Sequence, residues 1–353
     1  MKKQTIVSQK GEIEFRKLLY QKQIEGKTVI DDEYDSVEIE KVLHERMQKT
    51  FDRLNSLRNN GITISPYVEI GAERCQRSLV MENKLDAAGA SVDISYDMLK
   101  SCDHYKTVFN FDKTPIRICC DANNLPFKTD SVPFLFCYET LHHFPDPTPI
   151  INEIYRVLLP GAYFFFDEEP YKRILRIKLL KSRKVHSNDS QKLSTVNKLF
   201  DFFCSEIACN EVEYGIIENL DIPLSLWKKA LRPFEIQQMH LESIKGITSE
   251  LFKPKNPLKL LFTYLFGGTI SGLCRKPGVH VQEDVSLNDL LVCPTCLFEK
   301  SEHSLSQENQ SLLCGKCGRQ YSIIDNIIFL FSDAKFKELY PDIFEKYYNH
   351  SVT

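Results

Sequence analysis

The sequence has no apolar run long enough to span a membrane. Its most apolar stretch, residues 258–266, is shorter than the roughly 20 residues that a spanning helix needs, and Gly267 and Gly268 follow it directly. We predict a buried helix followed by a strand there. The first residues include Lys2 and Lys3 with no apolar run behind them, so we expect no secretory signal.

A strongly basic charge is also missing. The 353 residues carry a formal net charge of −3, so the chain as a whole lacks the positive field that recruits nucleic acid. Hydrophobic residues make up 42% and charged residues 26%, which is the balance of a globular protein with a substantial core. The length predicts two domains, or one large domain with additions.

Disulfide bonds are not expected, although the chain has twelve cysteines. Four of them form two Cys-x-x-Cys pairs near the C-terminus, and others lie in apolar stretches such as residues 118–120 and 136–138. Buried thiols behave as small hydrophobic side chains. This usage favours a reducing, cytoplasmic location over a disulfide framework.

Short apolar strands alternate with helical segments in the middle of the chain. Such alternation predicts βαβ units with a parallel sheet that is covered on both faces. The predicted strands are residues 67–70, 90–94, 116–120, 134–138, 162–166, 236–244 and 269–275, and the helices between them are 74–82, 96–102 and 149–158. The expected fold is therefore an α/β, doubly wound, mostly parallel sheet of seven strands.

Composition and periodicity divide the chain into segments. Residues 1–60 have helical periodicity and are expected to pack on the domain that follows. A charged, mainly helical insertion would lie over the carboxyl edge of the sheet, where it would shape a ligand site. The predicted segments are an N-terminal helical segment (1–60), the α/β domain (61–277) with its insertion (171–233), a linker (278–289), a cysteine module (290–332) and a C-terminal helix (333–353).

The turn after the first strand contains fewer glycines than a nucleotide-binding loop usually does. Glu69-Ile70-Gly71 ends an apolar strand, where a doubly wound domain opens its cofactor crevice. A complete Gly-x-Gly-x-x-Gly or Gly-x-Gly-x-Gly loop would be a stronger signal, but Glu73 and Cys75 follow instead. The turn indicates a cofactor site only in combination with other features.

Acidic residues follow the ends of the first three predicted strands, at Glu69, Asp93 and Asp121. The carboxyl ends of parallel strands line the ligand crevice, so we expect these carboxylates to converge. Asp93 could accept hydrogen bonds from both hydroxyls of a ribose, because a carboxylate offers two acceptor oxygens. Asp121 would lie beside an adenine amine. The alternative is that each acid caps a helix N-terminus.

This arrangement resembles the class I S-adenosylmethionine-dependent methyltransferases, in particular the ubiquinone and menaquinone biosynthesis branch. The resemblance is carried by residues 69–71, 92–95, 121–127, 139–147 and 151–162. It implies a Rossmann-like fold with S-adenosylmethionine as cofactor. The implied cofactor-binding residues are Glu69, Gly71, Ala72 and Glu73 around the methionine end, Asp93 and Ile94 at the ribose, Asp121 and Ala122 at the adenine, and Tyr138 at the methyl-donor edge.

The sequence departs from this family at two places. The family usually has glycines where Glu73 and Cys75 stand, and an acid where Pro133 begins the fourth strand. If the Glu73 side chain filled the cofactor path, the domain would be an inactive relative.

Histidine is the usual general base for an oxygen or nitrogen acceptor, and alignment of the reactants supplies much of the rate of methyl transfer. His142 and His143, just past the fourth strand, are the candidates, although the pair could only shape the loop. Asp167 and Glu168 follow the fifth strand. They would bind a hydroxylated or cationic acceptor, or form a solvated turn.

Residues 171–184 contain seven basic residues interleaved with apolar ones. Such a segment can lie on an anionic membrane surface or bind phosphates. The alternative is a solvated amphipathic helix that covers the active site. The first interpretation suggests an acceptor that carries a phosphate or a lipid tail.

Two cysteine pairs predict a zinc ribbon. Cys293 and Cys296 are followed after 17 residues by Cys314 and Cys317, and four thiolates at this spacing can bind one tetrahedral ion. Because they leave no coordination position open, Zn²⁺ would be structural, and its removal is expected to unfold this module and spare the sheet. The surrounding residues resemble the small zinc-ribbon proteins that activate methyltransferases, which implies a protein partner.

The sequence therefore predicts an S-adenosylmethionine-dependent methyltransferase with a fused zinc ribbon. The expected acceptor is a small molecule, a lipid precursor or a saccharide. Methylation of RNA or protein is the first alternative, although the sequence carries no strong nucleic-acid signal and no Asn-Pro-Pro-Tyr-like motif after the fourth strand. A non-catalytic scaffold with a docking ribbon is the second alternative.

Overall fold

The protein is described by a computed structural model over residues 2–25, 36–172, 174–175, 184–186, 206–208, 216–217, 219–243, 246–252, 254–279 and 286–348. Its helices are α1 (Lys2–Ile24), α2 (Ser36–Asn59), α3 (Gln76–Lys84), α4 (Tyr96–Val108), α5 (Thr148–Val157), α6 (Leu224–Ala230), α7 (Pro257–Phe266), α8 (Pro294–Phe298), α9 (Asp333–Leu339) and α10 (Pro341–Tyr348). Two 3₁₀ turns cover Leu141–His143 and Leu287–Leu290.

The described strands are β1 (Tyr67–Ile70), β2 (Gly89–Asp93), β3 (Ile116–Cys120), β4 (Val132–Tyr138), β5 (Leu158–Tyr171), β6 (Lys184–His186), β7 (Glu206–Ala208), β8 (Glu235–Ser243), β9 (Thr248–Glu250), β10 (Gly268–Arg275), β11 (Leu305–Glu308), β12 (Ser311–Cys314), β13 (Gln320–Ile324) and β14 (Ile327–Leu330). All except β6 and β7 belong to one sheet, in the order β11-β12-β13-β14-β3-β2-β1-β4-β5-β10-β8-β9.

Seven of these strands confirm the predicted doubly wound sheet. β3, β2, β1, β4 and β5 are parallel to their neighbours, and β10 is antiparallel to both β5 and β8. The strand order reverses between β1 and β4, because β2 and β3 extend the sheet on one side of β1 and β4 and β5 extend it on the other. This switch point is where an open α/β sheet forms its ligand crevice.

The central strands β1 to β4 are buried on both faces of the sheet, which explains why they are almost continuously apolar. Alternate residues of β1 enter different cores: Tyr67 packs with the aromatic side chains of β4 and with α2 and α3, and Val68 packs with α5 on the opposite face. α5 presents its apolar side to that second core. The fold therefore follows from the period-two and helical patterns of the sequence.

The cysteine module continues the sheet rather than standing apart from it. β14 pairs in parallel with β3, with Ile328 opposite Ile118, and β11, β12, β13 and β14 are joined by antiparallel pairing. A bridge between Phe127 and Leu291 adds a second connection. We predicted a separable module, but its last strand extends the doubly wound sheet.

Two helices replace the single helix predicted at the end of the chain. α9 ends at Leu339 and α10 begins at Pro341. A proline disfavours helical geometry in the preceding residue, and Tyr340 accordingly has φ −132° and ψ 59°. The break allows the Tyr340 ring to enter the core beside α4.

The predicted helix over residues 258–266 and the strand after it are confirmed as α7 and β10, but the prediction that the helix is buried was wrong. Helix α7 forms there, but Thr263 is its single buried side chain. In the described part of the chain, no helix is long and apolar enough to cross a membrane. Most of the predicted insertion 171–233, and of its basic stretch 171–184, lies outside the described residues.

Candidate active site

A cavity of about 510 Å³ opens at the switch point between β1 and β4. This size is within the ordinary range for small-molecule and cofactor sites. Most of the predicted site residues line it: Gly71, Glu73, Asp93, Ile94, Asp121, Ala122, Tyr138, His142, His143 and Glu168. Glu69, Ala72 and Asp167 are absent from the cavity wall.

The turn after β1 has the backbone shape of a glycine loop although it contains a single glycine. The φ angles are +68° at Gly71, +49° at Glu73 and +59° at Cys75. Positive φ is uncommon for residues with a side chain. At Gly71 it is combined with crowding, because a Cβ atom there would lie 2.3 Å from Thr140 Oγ1. Glu73 and Cys75 therefore adopt the left-handed backbone conformation that glycine adopts most readily.

The Glu73 carboxylate is held by side chains beside the turn. It accepts hydrogen bonds from Arg74, from Gln76 Nε2 at 3.0 Å and from Arg16 Nη1 of α1 at 3.4 Å. Burial alone would raise the pKa of Glu73, but Arg74, Arg16 and Arg46 outweigh it and hold that pKa well below its usual range. Glu73 is therefore an anchored anion that ties α1 to the cavity.

Asp93, at the end of β2, organises the loop around it. Its Oδ2 accepts the Glu73 N–H at 2.8 Å, and its Oδ1 accepts the Ser95 N–H at 2.8 Å. Each carboxylate oxygen has two acceptor positions, so each can accept one further bond from a ribose hydroxyl. Burial raises the pKa of Asp93 to about 6, against the opposing effect of these two backbone bonds.

The raised pKa of Asp93 predicts that the affinity of the cavity for S-adenosylmethionine falls at acidic pH. The pKa of Asp93 is higher in the folded chain than in the unfolded chain, so protonation of this residue favours folding as the pH falls through about 6. A ligand that hydrogen-bonds to the ionised carboxylate binds more weakly at the same acidic pH, because the carboxylate is then protonated. Calorimetry from about pH 7.5 to about pH 5 should show affinity decreasing towards tenfold per pH unit. Asp93→Asn should flatten the profile. If the affinity of the wild-type chain did not change with pH, the assignment of Asp93 to the ribose hydroxyls would be wrong.

Glu69 has a supporting position behind the turn. It is 1% exposed, and its Oε2 accepts hydrogen bonds from the backbone N–H and the hydroxyl of Ser78 at the start of α3. Burial raises the pKa of Glu69 to about 7, although the Arg77 charge opposes this. Ala72 is fully buried beside it. These two residues fix α3 relative to β1.

Asp121 is tied to its own loop and to the end of the chain. Its Oδ1 accepts the Asn123 N–H at 2.9 Å, and its Oδ2 lies 3.8 Å from Lys335 Nζ on α9. Nearby, the Tyr340 hydroxyl donates to the Ile94 carbonyl at 2.6 Å. The loops after β2 and β3 are therefore held by the residues that follow the cysteine module.

His142 is positioned by a buried glutamate. Glu169 is fully buried, and its carboxylate accepts the backbone N–H groups of Thr140, Leu141 and His142 at 2.7–3.1 Å. His142 Nδ1 lies 3.0 Å from Glu169 Oε2. A carboxylate only accepts, so Nδ1 donates, and a neutral ring then carries its lone pair on Nε2. His142 thus has the orientation of a general base.

His143 and Tyr138 also line the cavity. His143 Nδ1 lies 3.0 Å from the Ile217 carbonyl oxygen, and the two histidine rings are 4.4 Å apart. The Tyr138 ring packs under the Arg77 guanidinium at 4.4 Å, and burial raises the pKa of its hydroxyl well above the usual range. His142 is therefore the histidine of the pair with a carboxylate partner.

Asp167 and Glu168 lie within β5, which extends past the predicted strand end at residue 166 to Tyr171, and helix α2 neutralises both acids. Asp167 Oδ2 lies 3.3 Å from Arg53 Nε, and Glu168 pairs with Lys49. Burial raises the pKa of Asp167, whereas the pKa of Glu168 is lowered because Lys49 outweighs its burial. Asp167 is behind the cavity wall, so of the two predicted acceptor residues only Glu168 lines the site.

Sequence reasoning missed several cavity residues. Gln9, Glu12 and Arg16 of α1 line the site, as does Arg77 of α3. The spacing of the α1 residues by three and four positions places them on one helix face and was the available signal. Arg77 is buried, and its Nη2 lies 3.8 Å from Glu139 Oε2 and 3.9 Å from Glu168 Oε2, so its charge is balanced by two acids of the cavity wall.

The four predicted zinc ligands come together in the cysteine module. Their sulfur atoms all lie within 4.8 Å of one another. The separations are 3.6 Å for Cys293–Cys317 and 3.8 Å for Cys296–Cys314. Zinc–sulfur bonds of about 2.3 Å in a tetrahedron place the sulfurs about 3.8 Å apart. The thiolates therefore fit one tetrahedral zinc ion.

Fold and cavity together define a Rossmann-like α/β domain with a cofactor crevice at its switch point. Residues 68–166 match the family model described as a methyltransferase domain. The chain thus contains an S-adenosylmethionine-dependent methyltransferase domain, and this fold implies S-adenosylmethionine as cofactor.

Solved structures with a similar fold include several methyltransferases. A Methanosarcina mazei S-adenosylmethionine-dependent methyltransferase is 20% identical, with 63% of this chain and 97% of that chain covered and a TM-score of 0.40. The magnesium protoporphyrin IX methyltransferase of Synechocystis PCC 6803 is 14% identical, with 73% and 92% covered and a TM-score of 0.40. A chain from a Haloferax volcanii complex of a methyltransferase activator with a protein named as a methyltransferase is 15% identical, with 66% and 95% covered and a TM-score of 0.37.

Proposed function

We propose that the chain methylates an oxygen or nitrogen atom of a small-molecule or lipid-linked acceptor bound beside His142. The observation that carries this proposal is the His142–Glu169 pair, a histidine that lines the cavity and is oriented by a fully buried carboxylate. We expect this activity in a reducing, cytoplasmic compartment, since none of the described cysteines forms a disulfide bond.

The cavity residues divide by chemistry around the cofactor. Asp93 would bind the ribose hydroxyls, and Asp121 with Ala122 would border the adenine. The Gly71–Glu73 turn and the adjoining face of α1 would enclose the methionine end. When bound, S-adenosylmethionine supplies an electrophilic methyl group on a positively charged sulfur. The acidic side chains of the cavity suit that positive charge.

His142 would accept the acceptor's proton on Nε2 as the new bond to the methyl group forms. The Glu169 carboxylate would then stabilise the imidazolium through Nδ1 and keep the ring in its orientation. Three backbone N–H groups hold this carboxylate in place, so the pair is arranged before an acceptor binds. Such preorganisation reduces the cost of aligning the reactants.

The acceptor side of the cavity is largely apolar. Its wall beyond the histidines includes Phe144, Pro145, Pro170, Ile217 and Leu220. An apolar wall with a few polar groups is typical of a small-molecule site. It favours a small or lipid-like acceptor, in agreement with the branch that the sequence resembles, over RNA, whose recognition depends on phosphate contacts.

The cysteine module would hold a structural zinc ion through Cys293, Cys296, Cys314 and Cys317. Four thiolates fill the coordination shell, so we assign the ion no part in the chemistry. Its position in the same sheet suggests that the module acts on its own catalytic domain and offers its outer surface to a protein partner.

Cofactor binding is the first test of this function. Calorimetry should show S-adenosylmethionine binding to the wild-type chain, and Asp93→Asn should weaken it by about 30- to 150-fold, because a carboxylate hydrogen bond contributes about 2–3 kcal/mol. Asp97→Asn, four residues further on and outside the cavity, is the matched control and should bind normally. Labelled methyl transfer into fractionated extract would then identify the acceptor class. Absence of binding would leave only the scaffold alternative.

A further inference from the structure

Helix α7 is apolar but exposed. Leu258 is 76% exposed, Leu261 53% and Tyr264 40%, and the nearby Phe252 is 52% exposed. We refer to these four side chains as the apolar docking face. Exposed apolar surface of this kind marks an interaction site.

The charged residues around the apolar docking face indicate what kind of surface it binds. Residues 251–267 contain three lysines and no acidic residue. Lys259 belongs to α7, and Lys228 Nζ lies 5.8 Å from the centre of the Phe252 ring. Lysine is depleted at protein–protein interfaces. An apolar helix that carries one lysine and is preceded in the sequence by two others is instead typical of a segment at the interface of an anionic bilayer.

The docking face is connected to the acceptor side of the cavity. The Tyr171 hydroxyl donates to the Thr263 carbonyl at 2.6 Å, and the Leu175 N–H donates to the Leu265 carbonyl at 2.9 Å. Immediately after α7, Thr269 of β10 lines the cavity. A surface that binds lipid here would therefore lie close in the chain to this part of the cavity wall.

We propose that α7 docks the protein on an anionic lipid surface through the apolar docking face, so that an amphiphilic acceptor enters the cavity from the bilayer. The helix would lie in the interface, with Phe252, Leu258, Leu261 and Tyr264 among the acyl chains and the lysines at the lipid phosphates. Docking itself is independent of catalysis. Delivery of the acceptor rests on the proposed methyltransferase function.

Vesicle sedimentation of the full chain tests the docking. The wild-type chain should bind phosphatidylcholine vesicles that contain about 30% phosphatidylglycerol, and bind pure phosphatidylcholine vesicles at least about tenfold more weakly. The double variant Leu258→Glu, Leu261→Glu should lose at least about tenfold in binding, since it places acids at exposed positions. Phe298→Glu, which changes an 80% exposed phenylalanine in the cysteine module, is the matched control and should bind as the wild type does.

Two results would overturn the docking proposal. One is a failure of the vesicle test, either because the wild-type chain does not bind the vesicles or because the double variant binds them equally well. The other is a dimer, seen by sedimentation velocity, that the double variant dissociates while vesicles bind neither form, because a second copy would then cover α7. Calorimetry with S-adenosylmethionine separates this failure from failure of the enzyme assignment, since the double variant should bind the cofactor with wild-type affinity.

Discussion

Cys314→Ser is expected to destabilise the catalytic domain as well as the cysteine module. A structural zinc site contributes about 10–16 kcal/mol to folding, so loss of one thiolate should lower the free energy of unfolding by on the order of 5 kcal/mol. β14 of this module pairs with β3, so its unfolding removes a neighbour of the central sheet. Zinc content by atomic absorption and thermal unfolding by calorimetry would measure both effects.

The same variant should also weaken cofactor binding by at least about tenfold, a loss of about 1.4 kcal/mol. Two hydrogen bonds join the loop after β3 to the cysteine module. Asn124 Nδ2 donates to the Pro294 carbonyl at 3.3 Å, and the Val292 N–H donates to the Pro126 carbonyl at 2.9 Å. Cys274→Ser, at a buried free thiol in β10, is the control and should retain zinc and cofactor affinity. Loss of zinc with unchanged melting and affinity would show that the module is separable, as we first expected from the sequence.

His142→Asn is expected to lower kcat by about 10²- to 10⁴-fold, the usual contribution of a positioned general base. The asparagine amide can still donate to Glu169, so the loop should keep its shape and cofactor affinity should stay within about twofold. The measurement is single-turnover methyl transfer with the acceptor identified by labelling, together with calorimetry for the cofactor.

His143→Asn is the matched control because its ring lies beside that of His142 but binds a backbone carbonyl. It should reduce kcat by less than about tenfold. A large loss in His143→Asn with a small loss in His142→Asn would transfer the role of base to His143. Small losses in both would mean that alignment alone supplies the rate.

Local patterns were sufficient to predict the central sheet. The strand predictions for residues 67–70 and 116–120 match the observed bounds, because apolar runs of this length bounded by turn residues specify buried strands. Asp93 and Asp121 follow from the rule that strand ends line the crevice. The clustering of the four cysteines follows from their spacing alone.

Other parts of the site depend on contacts that a linear pattern does not contain. One example is the identity of the acid that supports His142, because Asp167, Glu168 and Glu169 are consecutive in the sequence. Asp167 and Glu168 oppose the single residue Ser271, and this bulge in β5, with φ +62° at Glu168, shifts the alternation so that Glu169 faces the loop after β4. The role of Arg16 depends on how α1 packs across the crevice. The exposed helix α7 shows that apolar composition does not by itself specify burial.

The pairing of β14 with β3 also determines what the sheet presents to other proteins. Without β14, the strand Ile116–Cys120 would be an open edge of almost entirely apolar residues next to the cofactor loops. Such an edge is a template for pairing with other chains. During synthesis β3 emerges long before β14, so the growing chain has an interval in which this edge is uncovered. Zinc-deprived cells should accordingly accumulate this protein as aggregates rather than as a soluble, inactive form.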